Sequence, residues 1–378
     1  MNCKHYILTL FIASFLLQSC GIAKKKNKIE IFNNVNQFTI KKIGIKNQYK
    51  SNHDNLISLA KIKECNENLK NPPINKDSIN EQIIDNDLIN SHKLTLKQKA
   101  ELYFLNKKEL TFALKTIEAL NYIKKPALKN SSQLELKLLY KDYSSKVLTK
   151  VKQENALAFL QKNINLLNQI ENLYGVDKEV VVALFTLESN LGKIKGTHKI
   201  IDALFSLSLT PSLSVKRRSF FESELFAIIK IIYYNIGIDN EVKGSWAGAF
   251  GLVQFMPSTF LKFAVDFDGD GKINLMSEPD ALASASNYLM SIGWQPKAKL
   301  AKWMDIDKKN LCLSGTGYDG GHLVFIDKNN TDSDNAIIAY NNYFMILDWN
   351  RSLFFATSVF ELSEYLKNNN TEYNNKIN

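Results

Sequence analysis

Three stretches of this chain carry residues whose types and spacing suit chemistry. The first centres on Glu188, near the end of a helical run bearing Val180, Val181, Ala183, Leu184 and Leu187, and followed by Ser189, Asn190 and Gly192. A carboxyl on so apolar a helix is costly unless it is protonated, paired or used. Burial raises a carboxyl pKa, and a raised pKa is what a general acid needs near neutral pH. Taken alone, a solvent-facing or salt-bridged glutamate is the plainer reading. The second stretch is Gly244-Ser245-Trp246-Ala247-Gly248-Ala249-Phe250-Gly251, continuing into Gln254-Phe255-Met256-Pro257. Its small residues permit close backbone approach, either to a ligand or to a packed helix. Gln254 supplies a polar group, and Pro257 suits the first turn of a following helix.

The third stretch is Asp266-Phe267-Asp268-Gly269-Asp270-Gly271-Lys272. Its carboxylates fall at positions one, three and five of an EF-hand-like loop, with glycine at six and a backbone carbonyl at seven. The spacing predicts one structural Ca2+ ion held by Asp266, Asp268, Asp270 and the Lys272 carbonyl. Position twelve is Ser277 and not Glu, so a further carboxylate must close the site, and Asp280 is chosen over Glu278. The four cysteines and five histidines contain no Cys-x-x-Cys and no His-Glu-x-x-His pattern, which argues against zinc. The Gly315-Thr316-Gly317-Tyr318-Asp319-Gly320 run has dinucleotide-binding spacing, but it leads into β-prone chain instead of a helix and reads as a glycine-rich turn.

The elements that must position these residues are mainly helical. Apolar positions recur at helical spacing beyond Leu94, at Leu102, Leu105, Leu110, Leu114 and Ile117, and again at Leu157, Leu160, Ile164, Leu167 and Ile170. Gly175 stops the second run, and Asp177 suits the N-cap of the helix that carries Glu188. A further amphipathic helix is predicted from Arg218 to Tyr234, closed by Gly237. After Trp294 the pattern changes to short β-prone runs, among them Leu323 to Ile326 and Phe344 to Leu347. The fold class expected is α+β, mainly α, with a small β subdomain over residues 297–347.

At the N-terminus, Lys4 precedes an apolar run from Tyr6 to Leu17 that is too short to span a bilayer, which reads as a signal peptide over residues 1–19. Its end, Leu17-Gln18-Ser19-Cys20-Gly21, resembles a bacterial lipobox, which implies lipidation of Cys20 and a membrane anchor. Gly21 after that cysteine resembles lipoproteins sorted to an outer membrane. Residues 20–92 read as a tether or a small accessory region, and 367–378 as a polar tail. Cys65 and Cys312 would then be the remaining thiols, and their pairing stays open. The formal charge of +10 suits an anionic partner without choosing among nucleic acid, membrane and the carboxylate-bearing peptides of a cell wall.

Taken in order, these pieces resemble the membrane-bound lytic murein transglycosylase B family, a lysozyme-like group of glycan-cleaving enzymes, over roughly Lys107 to Leu366. The most specific stretch is Gly244 to Trp294. It is supported by Leu187-Glu188-Ser189-Asn190-Leu191-Gly192, Lys216-Arg217-Arg218-Ser219-Phe220-Phe221 and Trp349-Asn350-Arg351-Ser352. The resemblance implies a lysozyme-like helical core with the EF-hand-like calcium loop, and a catalytic domain over residues 93–366. It makes Glu188 the catalytic acid and base, and Ser245, Gln254, Tyr288, Trp349 and Asn350 the lining of a sugar cleft. Arg217 and Arg218 are expected as cleft or substrate-peptide contacts. Leu191 stands where relatives usually carry an aromatic, and Phe355 where some carry a tyrosine.

The chemistry implied by the resemblance uses one carboxyl where ordinary glycosidases use two. Glu188 protonates the oxygen leaving the muramic acid anomeric carbon, assisted by the substrate's acetamido group, and then takes a proton from the C6 hydroxyl as it closes a 1,6-anhydro ring. The expected partners are peptidoglycan strands, the membrane through Cys20 and other cell-wall enzymes, with no nucleic acid. A second carboxylate facing Glu188 would point instead to a hydrolytic muramidase, and a cleft blocked near Leu191 to a non-catalytic peptidoglycan-binding lipoprotein.

Overall fold

A computed structural model describes residues 84–123, 138–234, 241–304, 320–327 and 336–377, with side chains described through residue 370. These residues lie within the compact unit Ile45–Asn378. The signal peptide, Cys20, most of the tether, Cys65, Gly237, Cys312 and all but the last glycine of the Gly315–Gly320 run lie outside the described residues.

The first helices are α1 (Asn86–Tyr103) and α2 (Lys107–Glu118), which pack together. Asp85 caps α1 by accepting from Leu88 N at 2.8 Å, so the helical region begins several residues before Leu94 and inside the expected tether. Leu102 and Leu105 are 83% and 80% exposed, against the expectation from their spacing. The buried face of this region is Leu96, Ala100 and Phe104, because α1 ends at Tyr103 and the chain turns before Leu105 can join its stripe.

Next come α3 (Tyr140–Val147), α4 (Lys150–Lys162) and α5 (Ile164–Tyr174). The single run expected from Leu157 to Ile170 is broken at Asn163, which ends one helix and starts the next. The Asn163 amide donates to the Phe159 carbonyl at 3.1 Å. Gly175 closes α5 in the left-handed region at φ 69°, as its position predicts.

The helix α6 (Lys178–Ser189) runs through the core and packs on α4, α5 and two later helices that begin at Glu278 and Leu353. Residues Val180, Val181 and Val182 are poor helix formers by intrinsic preference, yet they are buried here as helix. Burial on several sides outweighs the small propensity cost. Asp177 occupies the N-cap position without capping, and its carboxylate faces Lys367 at 3.7 Å.

After α6 the chain forms β1 (His198–Lys199), α7 (Ile200–Leu209), α8 (Val215–Tyr234) and β2 (Lys243–Gly244), with β1 and β2 antiparallel. A Cβ on Gly196 would meet the Gly244 carbonyl carbon at 1.8 Å, so backbone contact at this join requires glycine. Pro257 opens α9 (Pro257–Phe263), and α10 (Glu278–Ile292) follows the acidic loop.

The small β region is a three-stranded antiparallel sheet of β3 (Ala301–Met304), β4 (His322–Phe325) and β5 (Ala336–Ala339), in the order β3-β5-β4. Its central strand is wholly buried. Phe344 to Leu347, expected as strand, lies instead in the helix α11 (Asn341–Trp349). Tyr343 and Ile346, three residues apart, are both fully buried, and the Asn342 side chain accepts from Gln295 N and donates to the Gln295 carbonyl, each at 2.8 Å. The last helix, α12 (Leu353–Ile377), carries the backbone through most of the expected polar tail, because Leu366 and Asn370 still pack inward.

Candidate active site

Glu188 is the penultimate residue of α6, and the turn that follows it is strained. Asn190 and Leu191 both have positive φ, at 51° and 56°, and Gly192 follows at 77°. Non-glycine residues rarely adopt this conformation, and two in succession persist only where neighbours over-determine them. Here the Ser189 hydroxyl accepts from Gly192 N at 3.0 Å, and the Ser189 carbonyl accepts from Ile194 N at 2.8 Å. Leu191 packs against the core instead of standing in the open.

The Glu188 carboxyl has one described side-chain partner: the Trp349 indole donates from Nε1 to Oε1 at 2.8 Å. Trp349 is the last residue of α11 and arrives 161 residues later in the chain. The indole lies 5.4 Å from Phe255 and 5.1 Å from Tyr288, the latter edge-on at 80°. Tyr288 is held edge-on to Phe263 at 4.9 Å, and its hydroxyl donates to the Asp348 carbonyl at 3.2 Å. Helices α6, α9, α10 and α11 and the loop before α9 therefore meet at one aromatic cluster around the carboxyl.

Glu188 is half-buried, with protein packed closely around its carboxyl. Burial raises its pKa from 4.5 to about 7, and the Trp349 hydrogen bond opposes that rise. No neighbouring carboxylate among the described residues contributes to the shift. The group can therefore lose or hold a proton near neutral pH, which suits one residue acting in turn as acid and base.

Ser245 and Gln254 lie in the small-residue loop, and both side chains brace it. Ser245 Oγ accepts from Ala249 N at 3.1 Å, while Ser245 N donates to the Ala249 carbonyl at 2.7 Å. Gln254, at φ 51°, donates from Nε2 to the Gly251 carbonyl at 2.8 Å. Phe250 and Phe255 exchange backbone hydrogen bonds at 2.9 and 3.0 Å, which aims Phe255 at Trp349. Asn350 directly follows Trp349 as the extended cap of α11.

Arg217 and Arg218 make their described contacts elsewhere. Arg218 Nη1 donates to the Leu213 and Pro211 carbonyls at 2.9 and 3.3 Å, closing the turn before α8, and Arg217 lies over Phe221 at 5.3 Å. Two contributors that sequence reasoning passed over are Phe263 and Glu224. Glu224, buried on α8, accepts from Ser258 N at 2.8 Å and from Ser258 Oγ at 2.6 Å, which anchors the start of α9. Its place on an amphipathic helix gives no sequence signal for this partner.

In the acidic loop, Asp266, Asp268 and Asp280 bring carboxylate oxygens within 4.8 Å of one another. Asp280 is buried at the start of α10, and it accepts from Phe267 N at 2.8 Å and from Asn274 N at 2.7 Å. Asp270, exposed like Asp268, accepts from Lys272 N at 2.8 Å and lies near Asp266 without joining the three mutually close carboxylates. Burial, the largest cause, pushes the Asp266 and Asp280 carboxyls up, and neighbouring aspartates add to it. Hard oxygen donors gathered in this way fit a calcium ion.

The helical core, small sheet and isolated carboxyl define a lysozyme-like lytic transglycosylase fold. The described structure is similar to Escherichia coli lytic transglycosylase Slt35 in complex with calcium, at TM-score 0.62 and 23% identity over 73% of this chain and 92% of that one. It is likewise similar to SltB3 from Pseudomonas aeruginosa in complex with NAG-NAM-pentapeptide, at TM-score 0.60 and 24% identity over 74% and 79% of the two chains. The chain belongs to the family described as the Transglycosylase SLT domain, which matches residues 90–364. In sequence it is 36% identical over 152 residues to membrane-bound lytic murein transglycosylase B of Escherichia coli (strain K12). That match spans 40% of this chain and 41% of the relative.

The raised pKa of Glu188 carries a stability consequence. An unfolded glutamate ionises above about 4.5, whereas the folded group holds its proton up to about 7. Within that window the folded state binds more protons, so stability falls as pH rises and levels off above it. Glu188→Gln keeps an acceptor for Trp349 and removes the ionisation. The variant should match the parent below pH ~4.5 and exceed it above pH ~7 by up to about 3 kcal/mol, less whatever the residual exposure screens. Urea unfolding at several pH values checks this.

Proposed function

We propose that this protein is a lytic transglycosylase that cleaves the β-1,4 bond between N-acetylmuramic acid and N-acetylglucosamine in peptidoglycan. The observation that carries the reading is a single half-buried carboxyl, Glu188, poised near neutrality with no second carboxylate acting on it among the described residues. The family membership and the similarity to SltB3 in complex with NAG-NAM-pentapeptide support it.

Glu188 begins protonated and gives its proton to the glycosidic oxygen as the bond to the muramic acid C1 breaks. The substrate's acetamido oxygen covers the cationic C1. Glu188, now a carboxylate, removes the C6 hydroxyl proton as O6 bonds to C1 and the acetamido oxygen leaves. The proton count closes, water is not consumed, and the product is a 1,6-anhydromuramoyl end. Ser245, Gln254, Tyr288 and Asn350 are assigned to the walls of the sugar site, because they share the loop and helix ends around the carboxyl. Arg217 and Arg218 are left as contacts to a more distant part of the substrate.

Asp266, Asp268 and Asp280, with the Lys272 carbonyl, would hold one Ca2+ ion, whose contribution is charge neutralisation that stiffens the loop. The loop joins α9 to α10, which bear Phe263 and Tyr288. Lipidation of Cys20 would tether the protein to the periplasmic face of a bacterial membrane, the outer membrane given Gly21. The lipobox residues support this, and the Escherichia coli relative is named as membrane-bound. No helix among the described residues is long and apolar enough to cross a membrane.

Three outcomes are expected. Mass spectrometry of digested sacculi should find anhydro-ended muropeptides with the parent and none with Glu188→Gln; reducing ends from the parent would mean a hydrolytic muramidase. Calcium should raise the melting temperature, with about 2.7 kcal/mol of stabilisation at a hundredfold excess over Kd, and Asp268→Ala should lose that response. Cys20→Ala should move the protein from the membrane to the soluble fraction on cell fractionation while leaving cleavage of soluble glycan intact.

A further inference from the structure

The Trp349 indole is held on several sides. Phe255 and Tyr288 pack on it, and Tyr288 is itself fastened by Phe263 and by the carbonyl of Asp348, the residue next to Trp349. The ring arrives on the last turn of α11, whose Tyr343 and Ile346 are fully buried. Its N–H, at 2.8 Å from Oε1 of Glu188, is therefore a fixed donor. An indole nitrogen donates and cannot accept. A proton placed on Oε1 would make that oxygen a hydroxyl, a poorer acceptor for the N–H, whereas a proton on Oε2 leaves Oε1 as a carbonyl oxygen that accepts it well.

We propose that Trp349 is a positioning residue that reserves Oε1 of Glu188 as a non-reacting oxygen, so that Oε2 alone delivers and recovers the proton. This rests on the lytic reading above and deepens it. The acid step empties Oε2, and the base step refills it with the C6 hydroxyl proton. The carboxyl need not rotate between the two, because the hydrogen bond to Oε1 is kept in both protonation states. The role differs from the sugar contact expected of Trp349. Phe255 and Tyr288 pack against the indole, which is half-buried, and its N–H is engaged by Glu188.

Two measurements test the proposal, and the first needs neither activity nor substitution of Trp349. With 15N-indole labelling, one of the four tryptophan N–H signals should move with pH and share its midpoint with the Glu188 carboxyl carbon; Glu188→Gln should abolish that movement and so assign the signal. No indole signal following the carboxyl would overturn the proposal, whatever products the enzyme makes. The second is Trp349→Phe, which keeps an aromatic ring and removes the N–H. A lost hydrogen bond to a charged group of ordinary strength should move the alkaline limb of the pH profile up by about one pH unit. It should also lower kcat about tenfold, with KM changed less than about threefold. A raised KM with an unmoved limb would make Trp349 a sugar platform and overturn the assignment. If the parent yields no anhydro ends, the lytic reading fails while the indole titration still reports on the Glu188 contact.

Discussion

A carboxyl set on an apolar helix is held either as the neutral acid or as an anion with a donor aimed at it, and Glu188 has one described side-chain donor, on a helix that begins 153 residues later in the chain. Much of the architecture serves that pairing. The helix α6 is buried almost throughout, so the backbone that carries Glu188 cannot shift without exposing Val180 to Phe185. Its last turn ends in consecutive positive-φ residues instead of continuing, which stops the chain from covering the carboxyl. Trp349 in turn depends on α11, whose packing is fixed by Tyr343, Ile346 and the Asn342 bonds to Gln295.

The two loops flanking this pair are joined to each other and to the helices. Leu252 N donates to the Leu275 carbonyl at 2.8 Å, and a Cβ on Gly251 would lie 2.5 Å from the Leu275 Cβ, so the small-residue loop is seated on the end of the acidic loop. Glu224 holds the start of α9 from one side, and Asp280 holds both ends of the acidic loop from the other. Irregular backbone lacks a helical ladder to satisfy its N–H groups, and buried carboxylates supply the missing acceptors. Order in the acidic loop is thus coupled to order around Tyr288 and Phe255, which form two sides of the indole's surroundings.

Local signals in the chain were legible wherever the cause was local. Gly175 ends a helix because a left-handed residue is needed there, Pro257 begins one because its fixed φ suits the first turn, and the aspartates alternate where a tight loop folds around them. Leu102 and Leu105 show the limit of periodicity: they match the spacing of a buried stripe, but the helix ends between them. Phe344 to Leu347 show the limit of propensity, since aromatic and branched residues favour strand until a helix face offers more burial.

By itself the sequence determined the helical class, the isolated carboxyl on an apolar helix, the acidic loop and its closing Asp280, and the small-residue loop, since each depends on residues close together in the chain. Tertiary structure alone decided what those residues do to one another. It brought Trp349 to Glu188, used Arg218 to close the turn before α8, placed Asp270 outside the acidic trio and gave Glu224 to Ser258. The physical reason is that a hydrogen bond or a raised pKa depends on distances of a few ångström between elements far apart in sequence, and those distances are set by how the helices pack.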